Sequence, residues 1–510
     1  MKSVFLGVLL PFALALPRNE VTDIKSSIKR QEDAPSSAEK AQSVVDAFRV
    51  SWEGYYKYAF PNDELKPVTN SFSNSRNQWG ASAVDALSTA LVMREKEIVN
   101  QILEYIPTIN YFETPTEVSL FETTIRYLGG MISGYDFLKG PLSDLANDPA
   151  HVDALLTQSE NLANALSYAF DTPSGVPWNI LLFDNRTNDG SNNGLATVGT
   201  LVLEWVRLAD LSGNQTYAEL TEKAESFLLN PSPQSSEPFP GLLGMDIDPL
   251  TGKFLDAFGG WVGGADSFYE YLIKMWVYDP NRYAEYRDRW IIAADSTIEY
   301  LTSHPEPRPD ITFLSIYNGT NLIFRNQHLG CFNGGNFILG GQVLGVQEYI
   351  DYGLELVNGC HETYIATATG IGPEVFSWNT STIPAEQATF FNKSGFYITN
   401  AGYQLRPEVI ESFYYAYRAT GDTKYQDWVW DAFLAVNSTT RVGSGYSSIS
   451  NVNIEGGGSF TDFQESFWFA EVLKYSYLTF APDDEWQVSK DGQNTWVFNT
   501  EAHPFKVFGS

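Results

Sequence analysis

Eight carboxylic acids stand at or near the start of apolar helical stretches: Asp85, Glu122, Asp266, Glu270, Glu408, Glu411, Glu465 and Glu471. Asp266 with Glu270, and Glu408 with Glu411, have the three- or four-residue spacing that stacks side chains on one helical face. Glu122 and Arg126 are also four apart. A single acid at a helix start can serve as a cap or answer the macrodipole. A set at one end of many helices crowds like charge, which is costly without a metal or a catalytic purpose. Trp79, Phe121, Trp261 and Phe467 lie near the same ends, where they suit core packing or stacking on sugar rings.

Other chemistries lack their residues. The chain has no GxSxG elbow, no Walker loop and no GxGxxG after a strand. Cys360-His361-Glu362 does not begin a zinc helix, because Ile365 stands where a second His belongs. Asp246 to Gly252 lacks the Gly and the final Glu of a calcium loop and reads as a turn. Five histidines form no ligand set.

The elements that must position the acids repeat one design. The stretch Tyr403 to Phe433 is the clearest: Pro407 suits a first helical turn, Phe413, Tyr414, Ala416 and Tyr417 give an apolar stripe, and Gly421-Asp422 stops the helix. A second helix follows. Similar segments begin near residues 74, 117, 192, 259, 334 and 462, which makes seven. Each opens on a Gly- or Asn-containing loop and an acid or polar residue, then runs into a helix apolar nearly all round. Such helices must be buried, and a recurring helix pair marks a repeat architecture. The expected fold is all-α, an (α/α)7 barrel of helix hairpins with rim loops and short β-hairpins. It forms one domain over residues 38–510, with a helix from Ala38 to Ala59 at its start.

Net charge is −30 with a pI near 4.4, which argues against nucleic acid or an anionic membrane as partner. Residues 1–17 have the length and composition of a signal peptide, and residues 18–37 read as a polar leader or pro-region. No later segment is apolar enough to span a bilayer. Sequons at Asn185, Asn214, Asn318, Asn379, Asn392 and Asn437 fit an exported glycoprotein. The two cysteines, Cys331 and Cys360, read most economically as a pair in that compartment, with a metal or nucleophile role as the alternative.

The segments RNQWGASAVDAL, VSLFETTIRYLGG, GGADSFYEYL, HLGCFNGGNF, LRPEVIES, ESFWFAEVLKY and FNTEAHPF resemble glycoside hydrolase family 47, the class I α-1,2-mannosidases, and within it the secreted fungal type. The resemblance spans nearly all of the chain beyond the leader. It implies inverting hydrolysis of terminal α-1,2-linked mannose from high-mannose N-glycans, with bound Ca²⁺. Matched motif by motif, Glu122 would be the acid that protonates the leaving oxygen, Glu408 the base that activates water, and Asp266 the third essential carboxylate, with the acid role also open to it. Thr500 would ligate calcium. Glu411, Glu471 and Glu501 would hold its waters, and Phe467 would stack on the sugar. Arg126, Arg406 and His328 would line the pocket, and Glu270 would join the substrate contacts. Cys331 and Cys360 match the family's disulfide. Gly264 stands where narrow-specificity members carry Arg, which implies a roomier site. Thr197 and Asn333 stand where many members carry acids, and no contact is assigned to either. An inverting pair needs one protonated and one ionised carboxyl with space for water between them. The expected partner is a high-mannose oligosaccharide or glycoprotein, the expected location the secretory pathway or medium, and the expected state a monomer. The alternatives are another (α/α)-barrel glycosidase or a catalytically silent mannose-binding protein.

Overall fold

Seven helices that are apolar nearly all round need burial on every side. The computed structural model, which describes residues 35–510, stands them as the inner ring of an (α/α)7 barrel. The inner helices are Ala81–Val92, the run Leu120–Thr123 through Thr124–Leu128 into Gly129–Leu138, Leu195–Gly199 with Val202–Ser212, Asp266–Tyr278, Phe332–Leu344, Glu408–Thr420, and Trp468–Val472 with Leu473–Phe480. In Ala81–Val92 every residue is buried. Each inner helix packs on the next, and the last returns to the first.

The outer layer is Ser37–Tyr58, Lys96–Tyr105, Pro149–Leu166, Thr216–Leu229, Ala284–Ser296, Gln347–Ile365 and Thr423–Thr440. Six outer helices follow their inner partner in the chain. The seventh pair is made by the two ends, because Ser37–Tyr58 packs on Leu473–Phe480. Ser36 starts that helix with a capping box to Glu39, so the barrel begins one residue before the expected Ala38. The expected signal peptide, residues 1–17, and nearly all of the expected leader lie outside the described residues.

Local chemistry sets the helix ends. Gly213, Gly345 and Gly421 stop inner helices in the left-handed conformation. Asp422 then caps the next outer helix through the Lys424 N–H. Two inner helices contain a π turn, and these turns carry Arg126 and Glu471. Such widened turns recur at functional sites because they re-aim one side chain without ending the helix. Two expectations shift in detail. The third inner helix breaks at Thr200, and Glu465 precedes its helix rather than standing on it.

Short antiparallel hairpins and bridges decorate the rim, and Asp246–Gly252 is the expected turn, with Asp248 accepting from Leu250 and Thr251. Cys331 and Cys360 form a disulfide with a Cα–Cα distance of 6.0 Å. It ties the start of an inner helix to its outer partner. Asn185, Asn214, Asn318 and Asn392 are exposed, whereas Asn379 and Asn437 are half-buried. Asn437 lies within a helix and accepts the Tyr446 hydroxyl at 2.6 Å.

One hairpin enters the barrel instead of decorating it. Trp496–Phe498 pairs with Pro504–Lys506, and the turn between them reaches the inner helices. Gly129 admits it, since a Cβ there would come within 2.6 Å of Asn499 Nδ2.

A buried carboxylate organises the entry to the first inner helix. Asp63 accepts five backbone N–H groups, from Arg76, Gln78, Trp79, Gly80 and Ala81, and also the Tyr127 hydroxyl. Positive φ at Asn77, Gln78 and Gly80 turns those N–H groups inward as a nest. Asp63→Ala leaves buried donors without partners, and its expected cost is at least about 3 kcal/mol, read as a lower urea midpoint. A change below about 1 kcal/mol would show that water replaces the carboxylate.

Candidate active site

Pro407 has no N–H to lose at a helix start. The helix begins right after it, so Glu408 and Glu411 occupy the first turn, and Leu405, at φ 58°, bends the approach. Asp266 opens its own inner helix with Glu270 one turn on. Ser119 caps a third, its Oγ accepting the Glu122 N–H at 3.2 Å. These starts converge on a cavity of about 350 Å³, the size of a small-ligand site.

Glu122, Arg126, Asp266, Glu270, Arg406, Glu408, Glu411, Phe467, Glu471, Thr500 and Glu501 all line this cavity. So do Phe121, Thr197, Gly264 and Glu465. His328 does not, which corrects the expectation that it lines the pocket. It is buried behind Glu408, with Nδ1 2.7 Å from Glu408 Oε2. Its other nitrogen meets Tyr364 on an outer helix, so the ring lies between the wall and the outer layer. Asp85 is also set back, buried against His503 at 3.3 Å and Arg126 at 3.6 Å. Trp79 and Trp261 belong to the core, each with its indole N–H donated to an internal acceptor.

The carboxyls separate by environment. Burial pushes Glu408 up, but the His328 hydrogen bond and Arg406 outweigh it and hold the group below its ordinary range. Burial also opposes ionisation of Glu122, and Arg126 with Arg76 hold it low. Asp266 goes the other way. Burial, with Glu270 and Glu408 near, raises it to about 7 in spite of the Ser267 N–H at 2.9 Å. Burial raises Glu411 to about 8, with Glu270 adding to it, and Glu465 to about 7. Glu471 and Glu501 are pushed well up, first by burial; Glu501 and Glu411 add to the first, while Arg126 opposes the second.

Residues 47–507 match the family Glycosyl hydrolase family 47. The chain belongs to this family. It is 58% identical to the probable mannosyl-oligosaccharide alpha-1,2-mannosidase 1B of Aspergillus clavatus, across 98% of this chain and 97% of that one. It is 56% identical to the mannosyl-oligosaccharide alpha-1,2-mannosidase of Penicillium citrinum, across 98% and 97%. The solved alpha-1,2-mannosidase from Trichoderma reesei superposes with a TM-score of 0.91 at 50% identity, covering 93% of this chain and all of that one.

In this family 47 chain the cavity walls also test the fit of a cation. Glu270, Glu411, Glu471 and Glu501 line the same cavity as Thr500; Glu270 pairs with Lys274 and Glu501 with Arg126. Lys474 donates instead to the Ala502 carbonyl, and burial lowers it to about 7. A hard divalent ion on Thr500 oxygens, with water between it and the carboxyls, fits this oxygen-lined wall. Among the described residues no three His, Cys, Asp or Glu side chains group closely enough to hold an ion by themselves.

Several residues in or behind this site escaped the reading of the sequence. Arg76 lines the cavity 3.6 Å from Glu122. Glu204, fully buried and raised to about 8, accepts from Tyr271 at 2.6 Å and Asn499 at 2.8 Å. Tyr271 in turn accepts the Thr500 N–H at 3.2 Å. The available signal was a charged residue in the middle of an apolar helix: Glu204, Lys274 and Lys474 all have it.

The raised groups fix a pH trend. Asp266, Glu465, Glu411 and Glu204 keep protons in the folded chain up to about pH 7–8, which the unfolded chain releases near pH 4. Unfolding therefore releases protons in that window, and stability falls as pH rises through it. Glu122 and Glu408, held low, contribute with the opposite sign, and only below about pH 4.5. The protein in EDTA should melt highest at mildly acid pH and lower near pH 8, and excess Ca²⁺ should raise the calorimetric Tm more near pH 8 than near pH 5. A Tm in EDTA that rises steadily toward pH 8 would contradict this assignment.

Proposed function

We infer that the protein is a mannosyl-oligosaccharide 1,2-α-mannosidase that removes terminal α-1,2-linked mannose from high-mannose N-glycans with inversion and depends on Ca²⁺. One contrast within a single cavity carries the mechanism: His328 and Arg406 hold the Glu408 carboxyl below its ordinary range, while burial raises Asp266 to about 7. That division of labour is what an inverting glycosidase requires.

Glu408 accepts a proton from the attacking water, its negative charge supported by His328 and Arg406. Asp266 is the better proton donor to the leaving oxygen, because its proton is present in the resting state, whereas Arg126 and Arg76 keep Glu122 ionised. Glu122, hydrogen-bonded to Arg126 at 2.9 Å, orients the sugar or a water at the cavity wall. Phe467, with the Arg126 guanidinium 5.5 Å from its ring centroid, offers an apolar face to a pyranose. Bound at Thr500, the ion would supply a Lewis-acidic centre for a pair of sugar hydroxyls. The signal-like residues 1–17 and the four exposed sequons support export, and a closed ring is compatible with a monomer.

The first test is release of mannose from α-1,2-mannobiose before and after EDTA. Activity is expected to vanish on chelation and return with Ca²⁺. Glu408→Gln and Asp266→Asn should each lower kcat at least 10²-fold. The basic limb of the rate profile, near pH 7, should persist in Glu122→Gln and disappear from the residual activity of Asp266→Asn. The reverse pattern would return the donor role to Glu122. Sugar binding without turnover by the native chain would instead favour a binding protein.

Gly264 bears on breadth. It lines the cavity at φ +96°, and a Cβ there would meet Met245 Cε at 2.4 Å. The native enzyme is expected to remove several mannoses from a nine-mannose glycan, and Gly264→Arg to stall earlier in a chromatographic time course. A native digest that stops after one mannose would refute the roomy-site reading.

A further inference from the structure

We propose that Tyr364 is a positioning residue for the reaction: its hydroxyl fixes the tautomer and orientation of His328, which in turn holds Glu408 aimed into the cavity. The proposal rests on Glu408 being the base.

His328 stands between the two groups, with Nδ1 2.7 Å from Glu408 Oε2 and Nε2 2.8 Å from Tyr364 Oη. An ionised carboxylate only accepts hydrogen bonds, and a neutral imidazole has one N–H to give. When the ring carries one proton, that proton sits on Nδ1 to face Glu408. Nε2 is then left with a lone pair, and the Tyr364 hydroxyl donates to it. Without that donor the two tautomers compete, and the wrong one sets a lone pair against a carboxylate. His328 and Tyr364 are both 2% exposed, so the bond is shielded from solvent that could replace it.

The surroundings hold this geometry from several sides. The Tyr364 and Tyr403 rings each lie 5.7 Å from the imidazole, tilted by about 50°. The His328 N–H donates to the Glu374 carbonyl at 3.0 Å. Three residues on, Cys331 is bonded to Cys360, and Cys360 stands one turn before Tyr364 on the outer helix. The covalent bridge thus fixes the His328 segment to the helix that carries its hydrogen-bond donor. The need for such support is local. Glu408 is buried at the cavity wall, and burial opposes the ionised form that a base requires. A third group that orients the partner of a reacting side chain is a general device of activated sites.

Tyr364→Phe removes one oxygen and keeps the ring. With α-1,2-mannobiose, kcat should fall about 10–100-fold, the usual range for a lost supporting partner, with KM within about 2-fold and Tm within a few degrees. In a His328→Ala background, Tyr364→Phe should cost no further activity, because the link is already cut. Unchanged kcat in Tyr364→Phe, measured beside an inactive Glu408→Gln, would overturn the Tyr364 role alone. An equal loss in both backgrounds would also overturn it, as a general packing effect. Full activity in Glu408→Gln would remove the base assignment, and the proposal with it.

Discussion

The site depends on how the turn Asn499–His503 is held inside the barrel. Asn499 supplies most of the grip. Its Oδ1 accepts the N–H groups of Glu501 and His503, and its Nδ2 donates to the Ile125 carbonyl and to Glu204. The Asn499 and Ala502 carbonyls accept from the buried Lys274 and Lys474. His503 reaches Ser88 at 2.8 Å and Asp85 at 3.3 Å. The turn is thus satisfied by five of the seven inner helices. Backbone polar groups in so apolar a core would otherwise each cost the price of a lost hydrogen bond. Thr500 and Glu501 reach the cavity because every neighbour of theirs is pinned.

That arrangement makes ring closure and chemistry one problem. A barrel whose inner helices are apolar on all sides needs a filled centre, because packed interiors leave few voids. Here a chain terminus fills one part and the carboxyl-lined cavity occupies another. The termini also close the wall, since the N-terminal helix is the outer partner of the last inner one. Loss of the helix Ser37–Tyr58 would therefore open the ring, and loss of the hairpin over 496–506 would open the site.

The architecture was legible because it is written in periodicity. All seven inner helices, their order and the Gly421-Asp422 stop follow from 3.6-residue spacing and cap chemistry. The cavity acids were legible as a set, because their position at helix starts repeats. Depth was not legible. Asp85, Trp79, Trp261 and His328 have the residue types of a site, yet they sit one layer back, and only three-dimensional packing distinguishes the wall from what supports it. Glu204, Lys274 and Lys474 were missed for the opposite reason: each reads as an interruption of an apolar helix, and each reaches the central turn at a partner 28 to 295 residues away in the chain. The family resemblance assigned roles to carboxyls that line one cavity, but partners that set their charge, such as Arg76 and His328, come from other elements, and their pairing was not legible.

Those charges follow from burial acting on residues of one kind with different neighbours. Glu122, Asp266, Glu408 and Glu411 are all desolvated, and desolvation alone would protonate every one of them. What separates them is the cation or donor each can reach. Glu122 has two arginines and Glu408 has His328 with Arg406, while Asp266 has a serine backbone N–H and two acidic neighbours. Apolar packing thus sets a common upward pressure on the carboxyls, and a few placed partners release it at chosen positions. The same packing that makes the inner helices stable in the ring lets a raised carboxyl and a lowered one line a single cavity.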